Sequence, residues 1–174
     1  MSGVFWLFIL FLCVQRISEL FIAKRNEKWM LSQGAYEAGT RHYPFIVALH
    51  TLFFISLIAE VTMMEKTLSS NWPVWLTLFL VTQLGRVWTL RSLGPFWNTK
   101  IIVLPGAKVV KRGPYRWVRH PNYIIVTLEF IVIPLLFQAY YTAIVFTLLN
   151  AWMLSVRIAA EEQALIDATD FGKS

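Results

Sequence analysis

Apolar residues run unbroken from Val4 to Val14 and continue as a stripe through Ile17, Leu20, Phe21 and Ile22. This pattern predicts a first spanning helix that ends at the Lys24-Arg25-Asn26 run. A second apolar stretch covers about residues 44–64 and a third about 72–90, the third turning polar at Gln83 and Arg86. Each approaches the roughly 20 residues that a bilayer requires. The stretch from Tyr123 to Val156 is too long for one span, and Pro134 with Gln138-Ala139-Tyr140-Tyr141 divides it. It predicts two helices, about 123–137 and 141–156, joined as a tight hairpin. From Arg157 to Asp170 charged and apolar residues mix at helical spacing, which extends the fifth helix into water. The expected fold is therefore all-α and integral to a membrane. It has five transmembrane helices, a C-terminal helical hairpin and one long polar connection before that hairpin, and forms a single domain over residues 1–174.

Basic residues set the orientation. The first connection carries Lys24, Arg25, Lys28 and Arg41. The third carries Arg86, Arg91, Lys100, Lys108, Lys111, Arg112, Arg116 and Arg119, and the tail Arg157 and Lys173. The second and fourth connections hold Lys66 alone. The positive-inside rule then places the N-terminus outside and the third connection and C-terminus in the cytoplasm. Trp72, Trp75, Tyr140 and Tyr141 fall at the expected outer boundary, as an aromatic belt would. Met1-Ser2-Gly3 lacks the basic start of a cleavable signal.

Composition agrees with this picture. The chain is 57% hydrophobic and only 15% charged, too little polar surface to cover a water-soluble globule. The formal charge of +6 points to anionic membrane lipids as partners, and not to nucleic acid, in a chain this apolar. Cys13 is the one cysteine, so a disulfide scaffold is excluded. His42, His50 and His120 are scattered and offer no metal-binding pattern.

The third connection carries the chemistry. It is basic without an acidic residue from Arg86 to Leu128, and it has hydrophobic order of its own. Ile101–Leu104 and Val109-Val110 read as extended pairs, with turns at Pro105-Gly106 and Gly113-Pro114, so the connection is expected to pack on the membrane domain. His120 precedes a proline and is held out of the helical region. Pro121 then opens the fourth helix, whose free backbone amides suit an anion. Tyr115 and Tyr123 add aromatic faces, His120 and Asn122 polar edges. Downstream, Arg157 and Glu161 lie four apart on one helix face, with Glu162 beside them.

Gly113, Tyr115, Arg119, His120, Pro121 and Tyr123, followed by Arg157, Glu161 and Glu162, resemble the motif of the isoprenylcysteine carboxyl methyltransferase family. These are integral-membrane methyltransferases that use S-adenosylmethionine. The resemblance is strongest over about residues 93–165 and makes about 93–170 the cofactor-binding half. The first half, with Gln15–Leu20 and Arg25-Asn26-Glu27, resembles a bacterial branch whose members methylate the hydroxyl of long-chain alkylpyrones and are encoded beside polyketide synthases. The resemblance implies that Ala107, Lys108, Val109 and Val110 line the cofactor, with Ala107 where the family has a histidine. It implies that Tyr115, His120, Pro121, Asn122, Tyr123 and Glu161 contact the cofactor, and that Arg157 faces and orients the acceptor. It further implies a pocket capped by the cytoplasmic connection without a Rossmann sheet. The chain has no glycine-rich strand-to-helix fingerprint.

The chemistry can be argued independently. Methyl transfer from a sulfonium to an oxygen anion turns two charged reactants into neutral products, so a dry pocket favours it. An acidic acceptor is ionised at neutral pH and needs no strong base. Arg157 supplies a planar counter-ion and Glu161 can meet the cationic end of the donor. The expected activity is thus O-methylation of a lipophilic acid in a bacterial cell membrane, an alkylpyrone hydroxyl first and an isoprenylcysteine carboxylate second. A reductase of the sterol-reductase type using NADPH and a non-catalytic membrane protein are the rivals. Among other polar residues, Arg16 and Glu19 read as a neutralising pair near the helix end. Glu129 leaves open a place near the pocket or a salt bridge to Arg86 or Arg91. Asn150, two turns before Arg157, is a candidate acceptor contact. Glu162 is a further pocket candidate, and His50 reads as a packing residue.

Overall fold

The computed structural model describes residues 3–171, so Met1, Ser2 and Lys173 of the readings above lie outside the described residues. Five long helices carry the fold: α1 (Gly3–Ser32), α2 (Tyr43–Met63), α3 (Trp72–Leu93), α4 (Pro121–Leu136) and α5 (Tyr140–Ala168). The architecture is all-α and integral to a membrane, as the apolar pattern requires. By length and composition α1, α2 and α5 can each cross a bilayer, with mean hydropathies of 1.9, 2.0 and 1.7. α3 has the length but carries Gln83, Arg86 and Arg91 in its second half. α4 has 16 residues, about 24 Å of helix, which is short of a full hydrocarbon core. Large apolar side chains face outward, with Leu7, Phe21, Leu84 and Leu148 each at least 66% exposed, as lipid-facing residues are.

One helix overruns the sequence expectation, and the tail of another keeps to it. α1 does not stop at Lys24-Arg25-Asn26 but runs on to Ser32. A basic run marks where the bilayer ends, and it does not break a helix. Asn26 is buried and donates to the Gly94 and Trp97 carbonyls, so the extra turns dock on the third connection. α5 is continuous through Val156 and Arg157. At the α4–α5 turn Pro134 stays inside α4, which ends two residues later. Gln138 makes the turn at a φ of 56° and donates its amide to the Thr67 and Leu68 carbonyls.

The extended segment Ile101–Val103 forms a strand, β2, but its partner is the first connection and not Val109-Val110. Tyr36–Ala38 (β1) pairs with it antiparallel, Tyr36 opposite Val103 and Ala38 opposite Ile101. Lys100 joins the two connections again, with Nζ 2.8 Å from Glu27 and 3.0 Å from Glu37. The Glu27 hydrogen bond, with Glu37 behind it, holds this ammonium above the usual lysine range.

The end of the bundle remote from these connections is an aromatic core. Phe5 meets Phe137 edge-on at 4.9 Å, and Phe53 meets Phe130 at 4.5 Å. Midway along the bundle sits a network of buried charges. Arg86, 4% exposed, bonds both Glu19 of α1 and Glu129 of α4, and Arg16 of α1 reaches the same two carboxylates. Gln83 donates to Glu129 at 2.8 Å, and Gln15 donates to Gln83. Glu129 is therefore a partner of Arg86 and not of Arg91, and the Arg16–Glu19 pair extends to a second arginine.

Removing one member of such a network strands the others in a dry interior. Arg86→Met is expected to cost about 3 kcal/mol or more, read as a large fall in melting temperature in detergent micelles, whereas Arg91→Met, on an exposed side chain, changes it little.

Candidate active site

Gly113 begins a 3-10 turn through Arg116. Its φ of 57° favours glycine, and a Cβ there would collide with the Ser92 side chain. The turn delivers Tyr115, and the chain then reaches His120, the residue before α4. Pro121 opens α4 as the pattern predicts, placing Asn122 and Tyr123 in its first turn. α5 passes alongside and supplies Arg157, Glu161 and Glu162 from consecutive turns of one face.

Arg157 and Glu161 do not bond each other directly. The Tyr123 hydroxyl stands between them, accepting from Arg157 Nε at 2.8 Å and donating to Glu161. Arg157 Nη2 also donates to the Thr99 carbonyl at 2.7 Å, which ties α5 to the third connection. The His120 ring stacks on Tyr123 with centroids 5.4 Å apart, and its Nε2 lies 3.0 Å from Glu162. Glu162 thus holds the histidine from outside, with Arg119 3.8 Å away.

Two cavities meet at this cluster. The first, about 160 Å³, lies under the third connection. Ala107, Lys108, Val109, Val110, Tyr115, His120, Asn122, Tyr123, Glu161 and Arg157 all line it, together with Arg119. The second, about 480 Å³, lies between the helices and is lined largely with apolar residues of α1, α2, α4 and α5, together with Arg86 of α3 and the 97–99 segment. Trp97, Asn98, Asn122, Tyr123 and Arg157 line both, so they form the wall between the two spaces. Two buried polar atoms of this wall, Asn122 Oδ1 and Trp97 Nε1, have no hydrogen-bond partner among the described residues. Buried polar groups are normally paired, so this acceptor and this donor are available to a bound group. Burial, with Glu161 adding to it, pushes the Tyr115 phenol above its ordinary range.

Most of the residues expected at the site converge. Pro121 shapes the start of α4 without lining a cavity. Glu162 lines neither cavity and acts on His120. Glu129 also lines neither, because it belongs to the charge network below. Asn150 lines the second cavity and donates to Thr127 at 3.0 Å. The sequence reading missed Trp97, Asn98 and Thr99, although a tryptophan and an asparagine between Pro95 and the Ile101 strand are candidates for burial. It also missed that Arg16, Glu19 and His50 reach the second cavity.

The folded protein holds the Tyr115 proton more tightly than the unfolded chain. Its contribution to stability is complete below about pH 10 and is lost as pH rises through the raised folded value. Melting curves from pH 8 to 11 are therefore expected to fall less steeply for Tyr115→Phe than for the wild type.

Residues 75–167 match the isoprenylcysteine carboxyl methyltransferase family. Over 162 residues the chain is 52% identical to the uncharacterized protein YpbQ of Bacillus subtilis, covering 93% of this chain and 96% of that one. It is 29% identical over 160 residues to an uncharacterized protein of Haemophilus influenzae, covering 90% and 93%. The matched segment contains α4, all but the last residue of α5 and the whole wall between the cavities, and with it the chain belongs to the isoprenylcysteine carboxyl methyltransferase family, a family of membrane methyltransferases.

Proposed function

We propose that the protein transfers a methyl group from S-adenosylmethionine to an oxygen of a lipophilic acid at the shared wall of the two cavities. The observation that carries this is the chain of contacts from Arg157 through the Tyr123 hydroxyl to Glu161, which borders a polar-roofed cavity on one side and an apolar one on the other. The first cavity suits a cationic, heterocyclic cofactor. It offers the Glu161 carboxylate, the Tyr115, His120 and Tyr123 rings, and the unpaired Asn122 Oδ1. The backbone of Ala107, Lys108, Val109 and Val110 closes its side. When bound, S-adenosylmethionine supplies an electrophilic methyl group on a sulfonium.

The protein's own residues then position and desolvate. Arg157 is 7% exposed and has two of its donor positions committed, to Tyr123 and to Thr99. Its remaining N–H groups have no hydrogen-bond partner among the described residues and can hold the acceptor's oxygen anion. Tyr123 fixes the guanidinium, and Glu162 fixes His120. The third connection and β1–β2 exclude water, which favours collapse of a cation and an anion to neutral products. The apolar cavity takes the tail. An ionised enol of a long-chain alkylpyrone is the first acceptor, with a polyketide synthase as the enzyme that supplies it, and an isoprenylcysteine carboxylate is the second. The basic connections support a cytoplasmic site in a bacterial cell membrane, with the N-terminus outside and the whole chain acting as one domain.

Purified protein is expected to retain radiolabelled S-adenosylmethionine, with Glu161→Ala lowering retention at least tenfold. Arg157→Lys keeps the charge but loses the planar fork, and is expected to lower kcat/KM on an alkylpyrone by about a hundredfold. Equal retention by the wild type and Glu161→Ala overturns the reading. Tight binding of NADPH in place of S-adenosylmethionine redirects it to reductase chemistry.

A further inference from the structure

The second cavity is not uniformly apolar. Arg157 lies at its top. Asn150 precedes Arg157 by seven residues on α5, which is about 10 Å of helix, and lines the same cavity. Two other helices place polar groups at that depth. On α1, Ala23 meets Asn98 at the top wall, and Arg16 lies seven residues below it. On α2, Tyr43 meets Thr99, and His50 lies seven residues further on. The cavity lining between these levels includes Leu20, Ile46 and Met153, and Phe54, Ile55 and Ile58 lie beyond. The space thus has an anion-binding top, an apolar step, a polar ring about 10 Å down, and an apolar base.

The polar ring has open valences. His50 Nδ1 is 2.9 Å from the Ile46 carbonyl, so Nδ1 carries the proton and Nε2 presents a lone pair. That lone pair has no partner among the described residues. Arg16 uses one N–H toward Glu19 and one toward Glu129, and its Nε–H and remaining Nη donors are uncommitted. A plain hydrocarbon chain in this cavity would leave a donor and an acceptor facing methylenes, which is costly. A hydroxyl satisfies both, donating to His50 Nε2 and accepting from Arg16.

We infer that His50 and Arg16 form a second recognition point, selecting acceptors whose chain carries a hydroxyl about 10 Å from the acidic head. This rests on the reading of the second cavity as the acceptor site, and it adds a specificity that a lipid tail alone would not need. The catalytic end is unaffected: His50 and Arg16 position the substrate and take no part in methyl transfer.

Displacement of radiolabelled octadecanoate from the full-length protein in micelles tests it, because a fatty acid brings the carboxylate without requiring turnover. 10-Hydroxyoctadecanoate, whose hydroxyl lies near that depth, is expected to displace the label at a concentration about tenfold lower than octadecanoate, equivalent to about 1.4 kcal/mol. 2-Hydroxyoctadecanoate, hydroxylated beside the head, is expected to gain nothing. In His50→Phe the advantage of the 10-hydroxy acid is expected to shrink to within twofold, and in His50→Gln part of it returns. Equal displacement by the three acids in the wild type overturns the inference and leaves the methyltransferase reading standing. Binding of none of them overturns both, since the cavity would then not accept an acidic lipid. Should His50→Phe fail to fold, the wild-type comparison of hydroxyl positions still decides.

Discussion

Charges placed inside a bilayer must find one another, and that constraint organises this protein. Arg16, Glu19, Arg86 and Glu129 come from three helices and share their hydrogen bonds completely enough that both glutamates and Arg86 are buried. Between helices in lipid there is little hydrophobic drive, because tails are as apolar as leucine. Packing and polar pairing must supply the specificity instead. The network fixes the height and rotation of α1 against α3 and α4, while edge-to-face and tilted aromatic contacts at the remote end join α1 to α3 and to the turn after α4.

The same logic recurs one level up, at the wall between the cavities. Tyr123, Arg157, Glu161 and Thr99 belong to a helix N-terminus, a helix interior and a loop. Each is held by a partner from another element, so the wall stays in place with empty space on both sides of it. Asn26 on the extended α1 and the β1–β2 ladder pull the loop carrying Thr99 down onto the bundle. For the function proposed above this arrangement has a use, because the proposed donor is water-soluble and the proposed acceptor is not. The two must arrive from different phases and meet at one point from which water is excluded.

Glu60 shows a purely structural use of a buried charge. It accepts from the Tyr141 and Thr142 amides at the start of α5 and from the Thr142 hydroxyl. A carboxylate at a helix N-terminus is favoured by the dipole and by the free amides. Glu60 lines neither of the two cavities, whereas Glu161 lines the first.

Much of this was legible in the chain alone, and the reason is the bilayer. Long apolar runs admit only helices, so the number, order and approximate limits of the five elements follow from hydropathy. The His120-Pro121 step marks where α4 begins because proline restricts the backbone before it. The clusters Tyr115–Tyr123 and Arg157–Glu161 each stand out because their members are close in sequence or at helical spacing, and the packing of α4 on α5 brings the two together. What the chain alone did not reveal depends on contacts between distant segments. The pairing of Ile101–Val103 with Tyr36–Ala38 joins two connections about 65 residues apart, and β propensity does not name a partner. For Glu129 the spacing left open a place near the pocket or a salt bridge to Arg86 or Arg91, and the packing of α3 on α4 decides for Arg86, because a buried carboxylate pairs with a buried cation. His50 looked like packing on one helix. Only the way α1, α2 and α5 surround a common space places it with Arg16 and Asn150 at a single depth.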